Sequence, residues 1–210
     1  MPQVDLQNGA STVRQAGSKA GDGFVSQFHG KYYTQAAKGN LFIGSQAVGG
    51  AVVPIVSNTT QQCGILNPAS SGVNASLVKL TIGSVSTNSI MGNFVLGYIT
   101  AGNGIIATGG KGVVAATLAT PVNANLLGPS SKVLFMASAI TTVAPSLLMT
   151  LGLSTLVLTA ADATNPIYSA SYDFDGSVVI PPGCGVFFAA NVAILHVAQA
   201  SFVWEEVPVE

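Results

Sequence analysis

From Asn40 onward the chain alternates short apolar segments with turn formers. The segments are "LFIGSQA", "GAVVPIVS", "ASLVKLTIGSV", "GNFVLGYIT", "KGVVAATLA", "KVLFMASAI", "STLVLTAAD", "PIYSASYDF", "GSVVIPP", "GVFFAANVAI" and "ASFVWEEVPV". Between them sit "NPASSG", "TAGNG", "ATGGKG", "GPSS" and "PPG". Regular short strands punctuated this way predict an all-β sandwich rather than βαβ units. In "SLVKLTIGSV" a period of two puts Leu77, Lys79, Thr81 and Gly83 on one face and Val78, Leu80, Ile82 and Ser84 on the other. One short helix is expected over residues 144–152, with Pro145 near its start and Gly152 as its stop.

The stretch "SYDFDGSVVIPPGCGVFFAANVAI" tests whether acids make a site or a corner. Asp175-Gly176 is the dipeptide preferred in two-residue hairpin turns, so a strand ending near Phe174 is expected to reverse there. Pro181-Pro182-Gly183 supplies the next corner. Asp175 therefore reads as a turn former. Asp173, on a strand face, is the better candidate for a polar contact.

Residues 1–38 differ from the rest. They carry Arg14, Lys19, Lys31 and Lys38, many Gly and Gln, and little apolar periodicity. Two readings stand: a disordered tail, or an extended arm that docks on a neighbouring subunit. Phe24, Phe28, Tyr32 and Tyr33 favour the arm, because a free tail gains nothing from aromatic side chains. The organisation expected is an arm over residues 1–38 and a sandwich over 39–210.

Composition changes the picture in one respect. Apolar residues make up 49% of the chain and charged residues only 7%, with a formal net charge of −1. An average globular chain has about 25% charged residues. Such a surface is poorly protected against association, which points to Ser/Thr/Asn cover and burial in an assembly. The scattered Lys and Arg form no basic patch, so nucleic acid is not an expected partner. The uncharged runs between Lys38 and Lys79 and between Lys132 and Asp162 are long enough to span a bilayer, but Pro54, Pro68, Pro145 and Gly152 interrupt them. No membrane partner is expected. "MPQVDLQNGASTVRQAG" lacks the apolar core of a secretory signal, so synthesis in a cytoplasm is expected. Cys63 and Cys184 are then expected to be reduced thiols, and Asn58 and Asn74 to be chance matches to glycosylation acceptors.

Chemical motifs fail on their spacing. "GNGIIATGGKG" has Ile105 where a phosphate loop needs Gly, and Gly112 where it needs Ser or Thr. "DFDG" lacks the later ligands of a helix–loop–helix calcium site. Glu205-Glu206 is the paired carboxylate, but neighbours on a strand face opposite ways and cannot flank one bond. His29 falls in the arm, and His196 in an apolar strand reads as structural. No catalytic, cofactor-binding or metal-binding residue is expected, and the chain does not read as an enzyme.

"YDFDGSVVIPPGCGVFFAANVA" followed by "ASFVWEEVPV", with the upstream "GNLFIGSQAVGGAVVPIVSNTTQQCGILNPASSGVNASLVKL", resembles small structural virion proteins of tailed bacteriophages. The resemblance covers about residues 39–209. It implies a β-sandwich of jelly-roll type that assembles on the particle as a head decoration, a fibre or a tail component, and it carries over no catalytic residue. A homotrimer is expected. Other virion proteins, such as the major capsid or tail protein, are the expected partners, and the virion is the expected location. The competing reading is a jelly-roll module that recognises a host surface glycan. Sugar sites use exposed aromatics, and the single Trp, Trp204, lies in the closing strand, where core packing is the simpler role.

Overall fold

The computed structural model describes residues 4–8, 11–17, 23–24, 31–86, 92–100, 112–153, 169–194 and 196–209. The chain divides into two compact units, Met1–Thr34 and Gln35–Glu210. In the first unit, β1 (Val4–Asn8), β2 (Ser11–Gly17) and β3 (Gly23–Phe24) form an antiparallel sheet in that order. Part of the stretch expected to be an extended arm thus pairs with itself. A short helix, α1 (Tyr33–Ala37), follows in sequence.

The second unit contains β4 (Leu41–Ser45), β5 (Ala51–Val52), β6 (Gln62–Leu66), β7 (Val73–Ser86), β8 (Asn93–Ile99) and β9 (Val113–Ala119). Then come β10 (Val122–Asn123), β11 (Leu134–Thr141), β12 (Ser146–Leu153), β13 (Ser169–Ile180), β14 (Gly185–Ala190) and β15 (Val197–Pro208). They make two antiparallel sheets. One runs β10-β4-β15-β7-β13, with β5 also on β15; the other runs β12-β8-β14-β6-β11-β9. The all-β sandwich expected from the strand-and-turn rhythm is what forms.

Alternation builds the core between the sheets. On β15 every second residue from Ala198 to Glu206 is buried, so Ala198, Ala200, Phe202 and Trp204 face inward. They meet Ile65, Phe94, Phe135 and Phe188 from the other sheet. That sheet is covered on its second face too, where Leu66, Ile99, Val113, Met136 and Phe187 form a separate cluster. Each large side chain withdrawn from water contributes about 1.5–3 kcal/mol before ordering costs.

The structure corrects four local expectations. The helix over residues 144–152 is the edge strand β12, paired with β8 from Ser146↔Tyr98 to Leu153↔Asn93. Leu and Met favour helix locally, but the open edge of β8 offers a ladder of hydrogen bonds and wins. Pro145 lies just before the strand, where a missing N–H costs nothing.

The second correction concerns Asp175-Gly176, which does not reverse the chain. Both residues have positive φ, 52° and 86°, as the turn chemistry anticipates. Yet β13 continues along β7: Asp173 pairs Lys79 and Val178 pairs Leu77, so residues 174–177 bulge out opposite Val78. The bulge keeps the inward phase of β13, and Phe174 stays buried.

Third, Leu77 leaves its expected face. Val78 is an extra residue against β15 as well, since Val203 pairs Lys79 and Trp204 pairs Leu77. The bulge leaves Leu77 and Val78 both buried, and Leu77 joins the core between the sheets. Last, β6 is a strand where none was expected. "QCGIL" carries Gln and Gly, which are poor in strands, and being buried on both sides it has no alternation to read. Gly64 is required there, because a Cβ would lie 2.2 Å from the Val186 carbonyl oxygen.

Candidate functional site

The acids singled out in the sequence separate in space. Asp173 lies on the outer face of β13, and its Oδ1 is 3.1 Å from Lys79 Nζ on β7. Both side chains are exposed, so this pair is worth at most about 1 kcal/mol. It has the geometry of a surface cross-strand pair. Asp175 occupies the bulge. Among the described residues no group of three His, Cys, Asp or Glu side chains gathers in a metal-binding arrangement. Residues 101–111, which hold most of the Gly-Lys loop, and residues 154–162, expected as a strand, lie outside the described residues.

Of the arm aromatics, Phe28 lies outside the described residues and Phe24 is described in its backbone alone, within β3. Tyr32 is half-buried with Lys31 Nζ 5.3 Å from its ring centroid, a cation–π distance. Tyr33 opens α1 and is 54% exposed.

Glu205 and Glu206 do face opposite ways, with unlike consequences. Burial pushes the Glu205 carboxyl above its ordinary range, and Lys38 pulls it partly back. Glu206 points into the sandwich and is only 7% exposed. Its Oε1 accepts from the Ser131 hydroxyl at 2.5 Å, from the Val133 N–H at 3.2 Å and from Trp204 Nε1 at 3.4 Å. The Lys132 N–H reaches both carboxylate oxygens at 3.1 Å. The carboxylate thus acts as a cap for the turn leading into β11. Sequence reasoning missed this role because every partner except Trp204 lies more than seventy residues away.

Trp204 is fully buried and stacks on Phe42 with centroids 6.2 Å apart. His196 is also buried, edge-on to Phe94 at 5.6 Å, and neither ring nitrogen has a hydrogen-bond partner. Burial lowers its pKa, so the neutral form is favoured. Asn67 ties three segments, donating from Nδ2 to the Val73 and Ile180 carbonyls at 2.7 and 2.8 Å.

The thiols are free and remote from each other. Cys63 pairs Phe188 in the ladder, whereas Cys184 precedes Gly185, which pairs Leu66. The intervening strand length is about 13 Å, well past the roughly 7 Å Cα limit of a disulfide. Burial raises the pKa of both, far above the usual thiol range for Cys63.

Two surface features stand apart from these structural contacts. One is a cleft of about 180 Å³ at the C-terminal end of β4, lined by Val52, Val53, Pro54, Cys63, Ala137 and Phe188 among others. The other is the loop after β10, whose Leu126 and Leu127 are 83% and 99% exposed. Neither arrangement brings a nucleophile to a base. No helix among the described residues is long and apolar enough to cross a membrane. Compared with protein-family models, curated proteins and solved structures, the chain matches none.

Proposed function

We propose that this chain is a structural subunit of a tailed-bacteriophage virion, a jelly roll that assembles on the particle as a homotrimer. Strand order carries the reading. Taking β4, β6, β7, β8, β12, β13, β14 and β15 as strands one to eight, one sheet runs 1-8-3-6 and the other 2-7-4-5. This order matches the double Greek-key order of a jelly roll, the architecture of many capsid and lectin domains, and supports that reading. Strands β9, β10 and β11 are then an insertion that widens both sheets. The resemblance of residues 39–209 to virion proteins supports the capsid side of that pair. Burial of Trp204 also favours it over glycan recognition, because a sugar platform needs an exposed ring.

Surface chemistry supports assembly. The edge strand β12 exposes Leu147, Leu148 and Met149, and an open apolar edge is an association site unless it is covered. Exposed Tyr33, with Phe24, Phe28 and Tyr32, supplies further candidate contacts to a neighbouring subunit or to the major capsid or tail protein. Sedimentation of the full chain at micromolar concentration, with mass spectrometry of purified particles, tests the proposal. A trimer in solution and copies in multiples of three on the particle are expected. A monodisperse monomer that is absent from particles would sink it. Removing residues 1–35 is expected to leave a folded sandwich that no longer joins the particle.

A further inference from the structure

The leucine tip and the cleft, whose lining is mainly apolar but includes Gln61 and Ser138, lie at opposite ends of β4, and both are built rather than incidental. At the N-terminal end, Ala124 N–H donates to the Leu41 carbonyl at 2.8 Å. Asn123 Nδ2 donates to the Gly39 and Pro129 carbonyls, each at 2.8 Å, and Asn123 Oδ1 accepts from Asn125 N–H at 2.9 Å. Gly128 N–H closes the loop on the Asn125 carbonyl at 2.6 Å. These bonds fix the loop with Leu126 and Leu127 outward, beside Val122, which is also exposed. A loop held this way cannot fold its leucines back to escape water.

At the C-terminal end, Gln46 follows β4 and its polar atoms are already used. Nε2 donates to the Ala137 carbonyl at 3.0 Å, and Oε1 accepts from Ala200 N–H at 2.9 Å. The cleft beside it has no charged residue in its lining. Its rim carries Val52, and the neighbouring turn exposes Val48 at 90%. Val85 extends this apolar end, since a Cβ placed on Gly50 would touch its Cγ2 at 3.0 Å.

We infer that the Leu126–Leu127 tip of one copy docks into the Val52–Phe188 cleft of a second copy, which deepens and rests on the assembly reading above. Leu41 and Gln46 are separated by about 17 Å of strand, so the tip cannot fill the cleft of its own chain. The fit is one of size and chemistry. A cavity of about 150 Å³ lined by aliphatic and aromatic groups takes up benzene, so this cleft has room for one leucine side chain. The second leucine then covers the rim at Val48 and Val52. Neither surface carries a charge that burial would strand, as suits the centre of an interface. Two leucines alone fall short of the roughly 1,000 Å² of a stable interface, and Val122, Val48 and Val85 extend the contact on either side. Because tip and cleft are different surfaces, the contact is head-to-tail. Such contacts close into rings when the rotation allows, and a threefold ring gives every cleft one tip.

The test combines charge and crosslinking on the full chain. Leu126→Asp/Leu127→Asp, on an exposed loop, is expected to leave circular dichroism unchanged and to raise the dissociation constant at least about a hundredfold in sedimentation. Leu127→Cys combined with Val52→Cys is expected to give disulfide-linked oligomers under mild oxidation, whereas Val52→Cys alone gives none. Wild-type assembly that neither the aspartates nor the cysteines affect overturns the inference and leaves the assembly reading standing. Weakened assembly without a crosslink puts the tip in an interface but not in this cleft, and also overturns it. A wild-type monomer at micromolar concentration sinks the assembly reading itself.

Discussion

Adjacent acids on one strand should differ sharply in what they contribute. Glu206→Ala removes the acceptor for two backbone N–H groups, one hydroxyl and one indole N–H. Their losses are unequal. Ser131 keeps a partner, because its hydroxyl also reaches the Val133 carbonyl at 2.6 Å. The Trp204 contact at 3.4 Å is long and contributes little. Lys132 is exposed, so water can reach its N–H. Val133 is buried, but its N–H also donates to the Ser131 hydroxyl at 3.0 Å, so the loss of Glu206 weakens its bonding without stranding it. The weakened bonds at Lys132 and Val133 together, less the relief of no longer burying a charge, give about 1–2 kcal/mol. Glu205→Ala on the other face is expected to stay within about 0.5 kcal/mol. Urea denaturation of both variants and wild type at one protein concentration measures the pair. Hydrogen exchange should show the Lys132 amide losing protection in Glu206→Ala alone. Equal losses for the two variants would refute the cap.

His196 gives a pH dependence whose sign follows from its burial. Its folded pKa lies below the ordinary 6.5, so the unfolded chain binds the proton first, and stability falls as pH drops below about 6.5. His196→Phe should flatten that part of the denaturation midpoint against pH, and an unchanged slope would count against it. At the β13 bulge, Asp175→Asn should be mild, since Asn also tolerates positive φ, with a change under about 0.5 kcal/mol. Gly176→Ala should cost about 1–3 kcal/mol, because φ is 86° and the new Cβ would lie 2.9 Å from Ser76 Oγ; equal effects at the two positions in thermal unfolding would contradict this. Under native conditions a maleimide should modify half-buried Cys184 before Cys63, and mass spectrometry showing Cys63 first would mean the sandwich opens there.

Local pattern by itself determined the fold class and the inward residues of β15. A period of two in β15 cannot be satisfied by a helix, and it forces Phe202 and Trp204 to the same side whatever lies opposite. The positive φ at Asp175 and Gly176 was legible as well, because that preference belongs to the residues themselves. Their effect on the chain path was not, since β7 decides whether a turn reverses a strand or bulges within it. The same holds for β12, where Leu and Met took the pairing that β8 left open. It holds for β6, whose residues show no alternation because two neighbouring strands and two faces bury them all. Glu206 is the clearest case. Its sequence neighbours mark it only as half of an acidic pair, and its role comes from amides some seventy residues earlier that the sandwich brings within 3.2 Å. The leucine tip likewise reads as an ordinary loop until Asn123 is seen holding it open. Patterns that depend on one residue's own backbone or one strand's own period are written locally. Contacts that close across sheets depend on which strands become neighbours, and only the tertiary structure sets that.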